Sequence, residues 1–263
     1  MTEGSPGEAR LPRGFLATAG ALTAAAVILL SELGLPWVDA GTLGLILVLL
    51  PILAVAQARL IGDLQIERLR VYLSSFVTLV ALGGLCAVAG WRQGGADALG
   101  LSAPPGSVVV AWSVGLTVGG VAVLLAFRRA LMALDLEEAA VVEALIPRSK
   151  EERYAFAALS LAAGLGEEIA YRGYAIAALT PVTGTTGAAV LTTVVFGVLH
   201  AYQGPQGMVR AGLLGGLLAW GFLAGGSLWP PIVAHALLDI LAGIFLADRL
   251  AVRRDRDGVP TPV

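Results

Sequence analysis

YAFAALSLAAGLGEEIAYRGYAIAALT, residues 154–180, is the stretch on which the fold turns. A helix needs about 20 mostly apolar residues to cross the hydrocarbon of a bilayer, and this run is longer than that. Glu167, Glu168 and Arg172 sit near its middle. With no water to satisfy the backbone, a segment in lipid must bond its own peptide groups, so the run reads as a helix and not a strand. A charge at that depth costs about 2.5–3.5 kcal/mol on insertion, so such residues persist where they do something.

Seven further stretches have the same apolar character, at about 14–33, 41–61, 71–91, 107–127, 186–202, 209–225 and 230–247. The expected fold is an all-α membrane protein, a polytopic bundle of about eight transmembrane helices. Composition agrees. Of 263 residues, 57% are hydrophobic and 14% charged, against about 25% charged in soluble domains, and the mean hydropathy is +0.83. Arg10 and Arg13 followed by Gly14–Leu30 resemble a signal peptide, but the apolar part is long for one, so it reads as a retained first helix. Pro51 should kink the second helix. The single cysteine, Cys86, lies in an apolar run, excludes an internal disulfide and reads as a small buried residue. A net charge of −2 gives no reason to expect a nucleic-acid partner; the expected surroundings are the lipid bilayer.

With the N-terminus inside, the inner segments hold Arg10, Arg13, Arg59, Arg68, Arg70, Arg128, Arg129, Arg148, Lys150, Arg153, Arg210, Arg249, Arg253, Arg254 and Arg256, which is 15 of the 17 basic residues. Only Arg92 falls outside, and Arg172 lies within a span. That asymmetry places both termini in the cytoplasm, and the Ala-, Gly-, Leu- and Arg-rich composition suggests a bacterial cell membrane. Residues 1–127 form an N-terminal half of four helices and 128–153 a cytoplasmic or interfacial connector. Residues 154–247 form a chemically richer half, and 248–263 a cytoplasmic tail. In the connector, Leu131, Leu134, Leu145 and Ile146 alternate irregularly with Asp135, Glu137, Glu138 and Glu143. It reads equally as a helix on the membrane surface or a solvated linker helix. Gly115–Gly119 and Gly212–Gly216 have the spacing of close helix packing.

The interior ionisable residues are few. They are Glu167, Glu168 and Arg172 in the fifth span, His200 in the sixth, and His235 and Asp239 in the eighth; spans one to four hold none. Residues four apart share a helix face. Glu168 can therefore pair with Arg172, whereas Glu167 points about 100° away and lacks that partner. His235 and Asp239 are also four apart, so the carboxylate can orient the imidazole or share a ligand with it. Phe196 and His200 repeat the spacing. A Glu and two His on separate helices make a hydrolytic kit: the Glu takes a proton from water, and the histidines bind a metal or polarise a carbonyl. The same residues also suit a transporter's proton relay or a structural polar network. The residues alone leave all three open.

The order of motifs adds a resemblance. Glu167-Glu168-Ile169-Ala170-Tyr171-Arg172 fits EExxxR, Phe196–His200 fits FxxxH, and His235–Asp239 fits Hxxx(N/D). Residues 150–245 thereby resemble the CPBP intramembrane protease family (CAAX proteases and bacteriocin-processing proteins, also called Abi), which includes the type II CAAX prenyl endopeptidases. The resemblance implies a peptidase acting on a membrane-associated peptide or protein. Glu167 would activate water, Glu168 and Arg172 would support it, and His200, His235 and Asp239 would complete the site. Two mechanisms go with it: a zinc-type site, here held by His200, His235 and Asp239, or a metal-free glutamate mechanism with an oxyanion hole. It also admits a non-catalytic bacteriocin-immunity protein. Asp239 departs from the pattern, since Asn is frequent there and an ionised Asp cannot donate to an oxyanion.

Straight spans oppose convergence. Glu167 would lie roughly 21 Å past Arg153, while His235 would be only about 7 Å from the outer end of its helix. Tilts, breaks at Gly164/Gly166 or Pro230/Pro231, or a re-entrant 202–209 segment would be needed.

Overall fold

A computed structural model describes residues 11–12, 14–60, 66–247, 253–254 and 260–261. Of the basic residues in the charge count, Arg10, Arg13, Arg249 and Arg256 lie outside the described residues, as does most of the 248–263 tail. Eight main helices run through the described residues. They are α1 (Phe15–Glu32), α2 (Trp37–Ala58), α3 (Arg68–Trp91), α4 (Gly106–Ala133), α5 (Lys150–Glu167), α6 (Ile176–Leu199), α7 (Gly204–Gly225) and α8 (Trp229–Ile240). A wider-wound π-helical stretch, Glu168–Ala175, joins α5 to α6 without a loop, and a second, Leu241–Phe245, extends α8. The only strands among the described residues are the two-residue antiparallel pair Arg253–Arg254 and Pro260–Thr261. This is a polytopic helical bundle of an integral membrane protein. Six runs, α5 and α6 counted as one, are long and apolar enough to cross a membrane; α8 with its extension is shorter. Leu16, Ile28, Val77, Val88, Val118 and Val194 are exposed on the outward faces, as suits helices solvated by lipid.

The run Lys150–Leu199 has 50 residues, which as one straight helix would be roughly 75 Å long, more than twice the hydrocarbon thickness. It reverses at Gly184, whose φ of 70° and ψ of 161° are not helical. Positive φ costs a glycine little, and Pro181 three residues earlier weakens the helix there. The reversal is evident in packing: the rings of Tyr171 and Phe196 are 5.7 Å apart, although 25 residues of straight helix would separate them by roughly 37 Å.

Bonds between connecting segments mark the two ends of the bundle. At one end, Leu228 N–H donates to Gly100 O and Gln93 Nε2 donates to Asp39 Oδ1. At the other, Arg68 Nε donates to Ala144 O, Tyr72 OH donates to Leu145 O, and Arg210 pairs with Glu138. All five tryptophans, at 37, 91, 112, 220 and 229, fall toward the first end, where indole rings suit the lipid–water boundary.

Several expectations are revised. The helix expected to end near 127 continues to Ala133, and the connector holds only a one-turn helix, Ala140–Ala144. Two of its backbone carbonyls, of Ala144 and Leu145, accept from Arg68 and Tyr72. Asp39 belongs to α2, which starts at Trp37, and is buried at 7% exposure. The carboxylate is buried by protein in the first turn of its helix, at the end of the bundle and not at mid-span. Its Oδ1 accepts from Tyr174 OH and Gln93 Nε2. Ahead of Pro51, Leu45–Leu49 winds as π-helix; proline supplies no N–H to the helical ladder, and the turn before it widens. Gly164 and Gly166 do not break α5. A Cβ on Gly166 would lie 2.4 Å from Leu79 O of α3, and one on Gly164 2.7 Å from Ile232 O of α8. These glycines let three backbones meet at the last turn of α5, next to Glu167. Pro230 and Pro231 open α8 and do not interrupt it. Gly115 faces open space, and the tight approach of α4 comes at Gly120, against Leu238 of α8.

Candidate active site

α5 starts sharply. Ser149 caps it, its Oγ accepting from Glu152 N–H while Glu152 Oε2 accepts from Ser149 N–H, a reciprocal capping box. At the other end of α5, at the α-to-π transition, come Glu167 and Glu168. π-Turns are frequent at functional sites because the extra residue per turn redirects side chains.

The two carboxylates have different surroundings. Glu168 is fully buried, at 0% exposure. Its Oε1 accepts from Arg172 Nη1 at 2.8 Å and lies 2.8 Å from His235 Nδ1, while its Oε2 is buried with no protein partner. Arg172 also donates from Nη2 to Gly215 O at 2.9 Å, and its guanidinium carbon sits 4.3 Å from the centre of the Phe196 ring. The i,i+4 pair expected from spacing is thus present and is held by two further helices. Glu167 lacks such a cation. It lies 3.6 Å from His235 Nε2, a distance for electrostatic attraction but too long for a hydrogen bond.

His235 sits between the carboxylates, with Asp239 Oδ2 3.8 Å from its Nε2. A carboxylate that already accepts from Arg172 is an acceptor for Nδ1 as well, so the imidazole donates Nδ1–H to Glu168 and directs Nε2 toward Glu167 and Asp239. His200 Nδ1 lies 2.8 Å from Phe196 O. A carbonyl only accepts, so that nitrogen carries the proton and Nε2 is the free one. His200 joins the cluster through Phe196, whose ring centre is 4.9 Å from that of His200 and 6.1 Å from that of His235.

Glu167, Glu168, Arg172, His235 and Asp239 therefore converge directly, and His200 converges across an aromatic wall. The depth conflict disappears because α8 is short and recessed. Leu228 at its start and Leu99 in the loop above it are both at 0% exposure, so His235, six residues in, is already at the level of Glu167. The segment expected to be re-entrant is a single tight turn, Ala201–Gln203, leading straight into α7.

Zinc held by His200, His235 and Asp239 is not matched by this arrangement. Among the described residues no group of three or more His, Cys, Asp or Glu side chains is placed to hold a metal ion. Sequence reading missed Gly215, which contributes a carbonyl and space: a Cβ there would lie 2.7 Å from Arg172 Nη2. It also missed Tyr202, whose ring stacks on His200 with centres 6.1 Å apart and planes 28° apart.

A polytopic helical membrane protein with a buried carboxylate–arginine–histidine cluster, assembled from the reversing α5–α6 hairpin, α7 and α8, is the class defined here. Residues 149–241, the segment that builds this cluster, match the family model of type II CAAX prenyl endopeptidase Rce1-like proteins. No curated protein and no solved structure matches the chain.

Proposed function

We propose that this protein is an intramembrane endopeptidase of the CAAX-processing type, with Glu167 as its general base and a membrane-associated peptide or protein as substrate. The observation that carries the reading is the contrast between adjacent carboxylates. Glu168 is tied to Arg172 and His235, each at 2.8 Å, and serves as scaffold. Glu167 keeps its oxygens clear of any such bond while facing the same imidazole, which leaves it open to a water molecule.

In this mechanism a water between Glu167 and the scissile carbonyl gives a proton to Glu167. Its oxygen bonds to the carbonyl carbon, and the C=O electrons move onto the carbonyl oxygen. When the tetrahedral adduct collapses, the C–N bond breaks and the leaving nitrogen takes the proton from Glu167. His235, oriented by Glu168 and attracted by Asp239, holds the polar end of the site. His200 and Phe196 form the wall against which the peptide lies. The Rce1-like match supports a CAAX-type substrate, whose prenyl group would partition into lipid beside the bundle.

The test is cleavage of a farnesylated CAAX peptide by the purified protein in liposomes. Wild type should release the C-terminal tripeptide, and Glu167→Gln, which keeps shape but removes the base, should lose about 10²-fold or more. Equal cleavage by the variant would refute the mechanism. Proton or solute flux without cleavage would favour the transporter reading of the same residues.

A further inference from the structure

The proposed site is short of hydrogen-bond donors. Peptide hydrolysis places a negative charge on the former carbonyl oxygen, and donors aimed at it usually supply the largest catalytic contribution. Here Asp239 stands where an amide is frequent, and an ionised carboxylate cannot donate. His200 spends its Nδ1–H on Phe196 O. His235 spends its Nδ1–H on Glu168, and any proton on its Nε2 faces Glu167 and Asp239.

Two phenols border the cluster: Tyr171, packed on Phe196 with its hydroxyl buried and unpartnered, and Tyr202, whose hydroxyl alone is aligned by a chain of side-chain bonds. Tyr202 OH accepts from Gln203 Nε2 at 2.8 Å, which occupies its oxygen and leaves its hydrogen for another acceptor. Gln203 is itself aligned: its Oε1 accepts from Arg210 Nη2 at 2.9 Å, and Arg210 is paired through Nη1 with Glu138 of the connector. Every bond runs in one direction, from guanidinium to amide to phenol. A charge-assisted chain of this kind polarises its last member and strengthens the bond that member donates. The Tyr202 ring is stacked on His200, with centres 6.1 Å apart, which sets the phenol beside the Phe196–His200 wall of the site.

We infer that Tyr202 is a catalytic residue that donates its phenolic hydrogen to the oxyanion of the tetrahedral adduct, with Gln203 and Arg210 positioning and polarising it from the connector end of the bundle. This rests on the peptidase reading above. It gives the connector a role as well, because Glu138 anchors the far end of the chain.

Tyr202→Phe removes the hydroxyl and keeps the ring. With the farnesylated CAAX peptide as probe, kcat should fall by about 10²–10³, the usual effect of removing one oxyanion donor. KM and melting temperature should stay near wild type, since the ground-state peptide does not use this bond. Gln203→Leu should move kcat the same way by a smaller factor. If Tyr202→Phe does not fold, 3-nitrotyrosine incorporated at 202 replaces it. Its phenol ionises near neutral pH, so kcat should fall as pH rises through that range while wild type does not follow. Cleavage by wild type with an unchanged kcat in Tyr202→Phe, or a flat pH profile for the nitro variant, overturns the donor role and leaves the Glu167 mechanism standing. No cleavage by wild type overturns the peptidase reading, and the donor role falls with it.

Discussion

Replacing Arg172 with alanine should be the most destabilising single change in the motif helix. Arg172 is 1% exposed and holds three things at once: Glu168 through Nη1, the Gly215 carbonyl through Nη2, and the face of Phe196. Removing it leaves the fully buried Glu168 charged beside an imidazole only, leaves Gly215 O unpaired, and opens a cavity against Phe196. Breaking a buried ion pair from one side costs about 3–5 kcal/mol, and even the low end lowers the folded-to-unfolded ratio by more than about a hundredfold. Purified Arg172→Ala in detergent should show a lower yield of folded protein and an earlier transition on titration with a denaturing detergent. The double variant Glu168→Gln/Arg172→Met removes both charges, keeps an oxygen for His235 Nδ1–H, and nearly restores volume. It should recover about 1–3 kcal/mol relative to the sum of the single changes. An Arg172→Ala protein with wild-type unfolding behaviour and no cleavage would refute the structural role and make the arginine part of the chemistry.

Three other outcomes are expected. Gly166→Val should prevent folding or cost at least about 1–3 kcal/mol, because its Cβ would meet the backbone oxygen of Leu79, which cannot rotate away; normal expression and melting would contradict the α3–α5 contact. Asp239→Asn should keep cleavage within about tenfold of wild type, since 3.8 Å from His235 is not a hydrogen bond; a total loss would assign the carboxylate a proton-carrying role. Chelation with 1,10-phenanthroline should leave cleavage unchanged, given that no group of donors among the described residues is placed for an ion; loss of activity restored by zinc would return the metal mechanism.

What could be read from the sequence follows from how costly each feature is to place by chance. Charges inside an apolar run are expensive, so Glu167, Glu168, Arg172, His235 and Asp239 stand out, and the fourfold spacing of Glu168 and Arg172 leads to the pair directly. Asp39 was hidden because Pro36 and Trp37 look like loop and boundary, although the helix starts there and buries it. Gly215 acts through a backbone oxygen and an absent side chain, neither of which leaves a compositional trace. Tyr202 ends the 186–202 apolar run and carries no charge to mark it; its place beside His200 depends on the tight 201–203 turn. Depth estimates failed because they took every span as full length, whereas α8 starts under the loop that contains Leu99. Small-residue spacing signalled close packing correctly at Gly212, whose backbone meets Gly197, but in α4 it chose Gly115 where Gly120 makes the tight contact, since the rotation of a helix about its axis is set by its neighbours.

The placement of Glu168 and Arg172 four residues apart on one continuous stretch also bears on how the chain enters the membrane. Gly215 and His235 are far downstream and do not yet exist as partners when residues 150–199 leave the ribosome. Two isolated charges would each carry an insertion penalty of about 2.5–3.5 kcal/mol. On adjacent turns they can move from the translocation channel into lipid as one nearly neutral dipole, needing no other helix. The hairpin closed by Gly184 can then wait in the bilayer with its polar pair already made, and α7 and α8 complete the site by docking onto it.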